Sequence, residues 1–337
     1  MTFSIVTPSF KQIDWLRLCV ASVKDQIPPP AGRSENATPI SHIPTSNSST
    51  LCVEHIIQDA GSPGIEEFAR EVGADFYRDG ALVFASAEDG RLKMEGRDSS
   101  SPVSELQSSI SPYRIAIYCE SDRGMYDAIN RGLARSSGGI CAWLNCDEQY
   151  LPGTLGKVAK IFAESLDLDV LLGDALLVDA KLRPVCYRRI MVPNRWHTRL
   201  DHLHSLSCAM FFKPSALPDP PLDPRWKVIG DAVLMDHFLG SGKVVRACGE
   251  LLSAYAFTGS NLSANPEHDE HALWMEEVKW PPGCLRPLVV LHNRLRRMAH
   301  GAYGLFPVEA ELFSPESVAA RISTRATVPG KWPDRAG

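Results

Sequence analysis

The segment from Tyr118 to Pro152 constrains the fold more than any other part of the chain. After a charged turn it shows helical spacing from Met125 to Ala134, then a Ser-Ser-Gly-Gly break and an apolar strand from Ile140 to Leu144. Asp147 and Glu148 follow at the carboxyl end of that strand, where open α/β sheets bind ligands. Carboxylate oxygens suit Mg²⁺ or Mn²⁺, which in turn hold phosphates. The segment therefore predicts an α/β fold with an acidic ligand site.

Strands and helices alternate along most of the chain. The apolar patterns predict a strand from Phe3 to Thr7, a helix from Asp14 to Val23, a strand from Leu51 to Gln58 and a helix from Glu66 to Val72. This alternation favours a mostly parallel sheet with helices on both faces. The other predicted elements are strands at 170–172, 176–178, 209–213 and 243–247 and helices at 155–163 and 229–239.

Two polar stretches interrupt this pattern, at 27–50 and at 80–112. Their Pro, Ser and charged residues predict surface insertions rather than core elements. We expect one domain over 1–260 that carries both insertions. A helical extension over 261–337 follows, and its tail could be disordered.

The stretch 285–306 is apolar and carries a set of basic residues, Arg286, Arg294, Arg296, Arg297 and His300. One interpretation is an amphipathic helix that lies on an anionic membrane surface. The other is a helix that docks on the domain and turns a basic face to solvent. The pattern favours neither.

Composition excludes several classes of function. The formal net charge is −5, without a basic bias, so we expect no nucleic-acid partner. The nine cysteines form no CxxC pair, which argues against zinc and indicates reduced thiols. We find no signal peptide and no run of about 18 apolar residues. We therefore expect a cytoplasmic protein, with peripheral contact at the inner face of the membrane as an option.

Five blocks of residues occur in the order found in family 2 glycosyltransferases of the GT-A fold, a group that acts in bacterial polysaccharide and lipopolysaccharide assembly. The blocks span 5–26, 58–62, 120–132, 143–153 and 172–174. The chain resembles that family over 1–260, apart from the two insertions. The resemblance implies a Rossmann-like GT-A fold. It also implies inverting transfer of a sugar from a nucleotide-diphosphate donor to a hydroxyl of a glycan or lipid-linked acceptor.

The resemblance places the donor's base and ribose at Thr7, Pro8 and Ser9, and a ring N–H of the base at Asp59. Each position also has an ordinary structural explanation. Pro8 ends a strand because proline cannot donate to the ladder. An Asp beside Gly, like Asp59, commonly caps its own turn.

Further donor contacts are implied in the central segment. Arg123, after Asp122, would bind the diphosphate, and Asp127 the donor sugar or ribose. The alternatives are a surface ion pair and a first-turn acid favoured by the helix dipole. Asn145 and Asp147 stand where the family has Asp-x-Asp. Asp147 is thus the expected ligand of a divalent cation (Mn or Mg), and the amide of Asn145 is a possible ribose contact.

Asp231 matches the catalytic carboxylate that the family carries at a helix start. Inversion needs a base that takes the proton of the acceptor hydroxyl, and a carboxylate suffices. Asp231 could instead be a helix N-cap. Val233 and His237 stand where the family often has a second acid and an arginine, so the resemblance does not extend to those two acceptor contacts.

Three functions compete at this point. An active glycosyltransferase is the first, and a non-catalytic sugar-nucleotide-binding relative, suggested by Asn145 and Val233, is the alternative. A nucleotidyltransferase ranks lowest, because Pro8-Ser9-Phe10-Lys11 replaces the glycine-rich phosphate loop that it needs.

Overall fold

The computed structural model describes residues 1–27, 51–86, 111–258, 261, 270–280 and 282–331. Most of the two predicted insertions, at 28–50 and 87–110, lies outside the described residues. The helices are α1 (Ile13–Lys24), α2 (Ile65–Val72), α3 (Met125–Ala134), α4 (Thr154–Glu164), α5 (Arg195–Leu200), α6 (Gly230–Gly240), α7 (Glu270–Val278) and α8 (Arg286–Ala299).

The strands form an 11-stranded sheet and a separate hairpin. The sheet strands are β1 (Thr2–Ser9), β2 (Cys52–Asp59), β3 (Asp75–Arg78), β4 (Ala81–Phe84), β5 (Tyr113–Cys119), β6 (Ile140–Trp143), β7 (Glu148–Tyr150), β8 (Val170–Asp179), β9 (Pro184–Arg188), β10 (Met210–Phe212) and β11 (Val245–Phe257). The order is β4-β3-β5-β2-β1-β6-β10-β8-β11-β7, with β9 on β8. Strands β3, β5, β2, β1 and β6 run parallel, so the predicted mostly parallel sheet flanked by helices is confirmed.

The register of the parallel strands brings their carboxyl ends to one edge. Ser9 at the end of β1 pairs with Asp59 of β2, which in turn pairs with Cys119 of β5. On the other side of β1, the amide of Leu144 donates to the carbonyl of Val6 at 2.9 Å. The turn that follows β6 and carries Asp147 therefore lies beside the tip of β1.

The structure differs from the predicted elements around Gly173. The sequence analysis divided the region into two strands at Gly173-Asp174, but β8 runs unbroken through both. A side chain at Gly173 would collide with Leu252 of β11. The glycine is therefore required by close packing between strands, not by a turn.

The C-terminal region contains helices α7 and α8 and, beyond the predicted helix, a hairpin of β12 (Leu305–Ser314) and β13 (Ser317–Pro329). Val308, Ala310 and Leu312 on β12 are buried against Leu18 of α1 and Leu176 of β8. The hairpin thus extends the hydrophobic core of the main sheet. Within the described residues, we find no helix with the length and apolar character needed to cross a membrane.

Candidate active site

A central cavity of about 1970 Å³ opens at the carboxyl edge of the parallel strands. Six of the predicted site residues line it: Pro8, Ser9, Asp122, Asn145, Asp147 and Asp231. They come from the ends of β1 and β6, the turn before α3 and the start of α6. The tertiary structure therefore brings together residues that are far apart in the sequence.

Two other predicted donor residues turn away from the central cavity. The Thr7 hydroxyl lies 2.9 Å from Nε2 of His55 and is buried beneath α1. The Asp59 carboxylate accepts hydrogen bonds from the amides of Gly61 and Ser62, at 2.9 and 2.6 Å, and from the Ser62 hydroxyl at 2.7 Å. Asp59 thus shapes the turn after β2.

Arg123 and Asp127 bind each other. Both the backbone amide and the guanidinium of Arg123 donate to the Asp127 carboxylate, each at 3.0 Å, and Arg131 donates at 3.0 Å as well. Burial works to raise the pKa of Asp127, but these donors hold it below its ordinary value. The side chain of Arg123 remains 74% exposed, so it can reorient toward a ligand.

Two residues that line the central cavity each carry a buried oxygen with no hydrogen-bond partner among the described residues. They are Ser9, with Oγ, and Asn145, with Oδ1. A buried polar atom without a partner costs free energy, on the order of 1–3 kcal/mol. Either oxygen would gain a partner if a polar ligand reached it.

Asp147 and Glu148 follow β6 as neighbouring acids whose negative charges repel each other. Glu148 is fully buried, and its carboxylate accepts from the amide of Asn145 at 2.7 Å and from its side chain at 3.2 Å. Burial, followed by the charges of Asp147 and Asp231, raises the pKa of Glu148. Burial also raises the pKa of Asp147, which is partly exposed to the cavity. A divalent cation would relieve this excess of negative charge.

Asp231 lies in the first turn of α6, whose N-cap is Ile229, so Asp231 is not the N-cap. Its Oδ1 accepts from the amide of Ala232 at 2.8 Å. Burial raises the pKa of Asp231 to about 6. A carboxylate with such a pKa is ionised at neutral pH and can still accept a proton.

Tyr126 packs against the start of α6 and contacts the loop before it. Its hydroxyl donates to the carbonyl of Val228 at 3.0 Å and lies 3.4 Å from the amide of Asp231. The ring leaves no room for a side chain at Gly230, whose Cβ would lie 2.6–2.8 Å from ring atoms. The glycine thus lets α3 and α6 approach closely enough to fix Asp231.

Glu270 holds the loop before Asp231 from the other side. Its carboxylate accepts from three consecutive amides, those of Lys227, Val228 and Ile229, at 2.6, 2.9 and 3.2 Å. Glu270 is buried and belongs to α7. The sequence analysis missed Glu270 and Tyr126, since no local pattern links them to Asp231.

The far half of the central cavity is lined by 198–207, which includes Arg199, and by three further basic residues, Arg188, Lys279 and Arg286. Asp201, His202 and His204 lie there within metal-binding distance of one another. Nδ1 of His204, however, lies 3.0 Å from the Arg188 guanidinium, which can only donate. Nδ1 must therefore accept, the ring proton sits on Nε2, and that proton faces Asp201. This tautomer leaves His204 without a lone pair for a metal.

The fold and the site together define a GT-A-type protein. The crystal structure of S. aureus TarS in complex with UDP-GlcNAc is similar with a TM-score of 0.52 at 11% identity, covering 89% of this chain and 73% of that chain. This similarity shows a shared fold and no more.

Residues 97–210 match the family described as Glycosyl transferase family 2, which confirms the resemblance seen in the sequence. Curated relatives include the PGL/p-HBAD biosynthesis glycosyltransferases of Mycobacterium bovis and Mycobacterium tuberculosis, each 32% identical over 71 residues. These residues are 21% of this chain and 28% of each relative.

Proposed function

We propose that this chain transfers a sugar from a nucleotide-diphosphate sugar to an acceptor hydroxyl with inversion at the anomeric carbon. One observation carries the proposal: a single cavity unites Asp147 and Asn145, at the end of β6, with Asp231 at the start of α6. The family match supports the same reaction class.

The donor occupies the half of the central cavity at the strand tips. The Ser9 hydroxyl and the Asn145 amide oxygen, both buried without partners among the described residues, hydrogen-bond the nucleoside. Arg123 swings from Asp127 to the diphosphate, which its exposed side chain allows.

The residues present fit a divalent cation, Mn²⁺ or Mg²⁺. Asp147, next to Asn145 in the cavity lining, offers a carboxylate, and Mg²⁺ sites often use one or two carboxylates plus substrate phosphates. The bound cation would neutralise negative charge on the diphosphate. Glu148 stays behind this pair and orients Asn145 through two hydrogen bonds.

Asp231 acts as the base. Its carboxylate takes the proton of the acceptor hydroxyl while that oxygen forms the bond to the anomeric carbon, and the bond to the departing diphosphate breaks on the opposite face. Tyr126 and Glu270 hold Asp231 in position through the loop 227–229.

The acceptor enters from the far, basic half of the central cavity. We infer a glycan or lipid-linked acceptor and a role in cell-surface polysaccharide or lipopolysaccharide synthesis, with the protein at the inner face of the membrane. The volume of the whole cavity, about 1970 Å³, supports a large acceptor, and the curated relatives are named for glycosylation in PGL/p-HBAD biosynthesis.

Turnover of a panel of nucleotide sugars, with and without Mn²⁺, tests the proposal. Asp231→Asn should lower kcat by at least about a hundredfold, the range for loss of a general base, and leave donor affinity within about twofold. Asp167→Asn is the matched control, because Asp167 is exposed and lies outside the cavity lining.

Two results would contradict this function. Unchanged turnover in Asp231→Asn would show that Asp231 is not the base. Donor binding without turnover in the unaltered protein, across the whole panel and with diverse acceptors, favours the non-catalytic sugar-nucleotide-binding alternative instead.

A further inference from the structure

Helix α8 buries polar side chains and exposes apolar ones, the reverse of an ordinary surface helix. The residues on its docked face are Val289, Asn293 and Arg297, which are 7, 5 and 2% exposed. Three leucines and a methionine point outward: Leu288, Leu291, Leu295 and Met298 are 65, 54, 49 and 62% exposed. An amphipathic helix normally buries its apolar stripe and exposes its polar one.

Polar contacts explain how the helix docks in this orientation. The Asn293 amide donates to Asp201 at 2.7 Å, and the Arg296 guanidinium donates to Nδ1 of His197 at 3.0 Å and to the carbonyl of Val192 at 3.2 Å. Arg297 is buried over the ring of Tyr303. Arg296 and Arg297 thus serve the docked face, and the sequence analysis wrongly grouped them with the exposed basic residues.

The outward side chains form one continuous patch. Positions 288, 291, 295 and 298 follow the spacing of a single helical face and extend for about 15 Å along the axis. We call these four residues the apolar stripe. Trp280 before the helix and Tyr303 after it are also exposed, at 56 and 41%. Aromatic residues with an apolar body and a polar edge are typical of membrane interfaces.

The positive charge around the apolar stripe favours an anionic partner. No Asp or Glu occurs between Val278 and Val308, although the whole chain has a net charge of −5. Arg294 is exposed on α8 beside the stripe. A two-fold contact through the stripe would bring Arg294 of the two copies close together, whereas anionic lipid headgroups would pair with it.

We propose that α8 lies flat on an anionic lipid surface, with the apolar stripe inserted between the headgroups and Arg294, which lies beside the stripe on the helix, at phosphate level. Lys279, Gly283 and Arg286 also line the central cavity, so its rim adjoins the lipid-facing helix. An acceptor anchored in the same membrane reaches Asp231 by this rim. The lipid contact stands without the transferase reaction, while the membrane-borne acceptor rests on the proposed function.

Co-sedimentation with vesicles tests the contact. The full chain should bind vesicles of phosphatidylcholine with phosphatidylglycerol, bind phosphatidylcholine alone at least tenfold more weakly, and be released by salt. The double variant Leu291→Ser/Leu295→Ser should weaken binding at least tenfold, and Arg294→Glu about tenfold. Leu166→Ser and Lys160→Glu are matched controls, since both residues are exposed and lie outside α8.

Any one of three outcomes would overturn the proposal. One is absence of binding to phosphatidylglycerol vesicles. Another is binding that the double serine variant leaves unchanged. A third is a dimer in solution that the serine variant dissociates while vesicles bind neither form, because the stripe would then face a second copy. Circular dichroism verifies the fold of every variant, and donor titration on the same samples reports on the proposed function separately.

Discussion

Removal of the Glu270 carboxylate should loosen the loop that positions Asp231 and leave the proposed donor residues Ser9 and Asn145 in place. Glu270 accepts from the amides of Lys227, Val228 and Ile229 at 2.6, 2.9 and 3.2 Å. A hydrogen bond to a charged group contributes about 1.5–3 kcal/mol, and the three are not additive because freed amides turn toward water. We therefore expect Glu270→Ala to destabilise the loop by about 2–3 kcal/mol.

Hydrogen exchange measures this loss directly. At 1.4 kcal/mol per factor of ten, the amides of 227–229 should exchange about 30- to 150-fold faster in Glu270→Ala. Glu270→Gln keeps one acceptor oxygen but turns an NH₂ group toward a donor, so its effect should be intermediate. Because the proposed function places Asp231 at the acceptor and not at the nucleotide, kcat should fall while donor affinity stays constant.

The matched control is Glu277→Ala, on the same helix, where an exposed carboxylate pairs with Arg225. It should leave exchange at 227–229 unchanged. If Glu270→Ala leaves these amides as protected as before, or if kcat stays constant while they exchange faster, the positioning role of Glu270 is wrong.

Two further predictions concern the cavity acids and the start of α6. Because burial raises the pKa of Asp147, the folded state retains a proton there that the unfolded chain releases near pH 4, and this contribution to stability is lost as the pH rises. The Tm of Asp147→Asn minus that of the unaltered metal-free protein should therefore increase from about pH 4 to about pH 8, and a constant or decreasing difference would contradict the burial argument. Gly230→Ala places a Cβ 2.6 Å from a Tyr126 ring atom and should lower the free energy of unfolding by about 1–3 kcal/mol. The control Gly156→Ala in α4, whose Cβ would have nothing within 4 Å, should not destabilise the protein, and equal effects of the two variants in denaturant titrations would refute the packing explanation.

Local patterns were sufficient for much of the fold. The periodicities of α1, α3 and β6 predicted these elements to within two residues at each end, because the apolar face of each lies within one stretch of sequence. The hairpin β12–β13 was missed, although Val308, Ala310 and Leu312 alternate as a half-buried strand should. The sequence analysis predicted a helical C-terminal region and therefore did not identify this strand pattern.

The sequence by itself determined which residue types stand at the strand ends and at the start of α6, since strand tips and helix starts are local features. Only the tertiary structure decided where their side chains point: Asp59 closes its own turn, while Asn145 keeps an oxygen free of partners among the described residues. It also brought Glu270 to the loop before Asp231 and turned the leucines of α8 outward. These outcomes depend on which surfaces pack against each other, and packing is a long-range property that spacing along one chain does not encode.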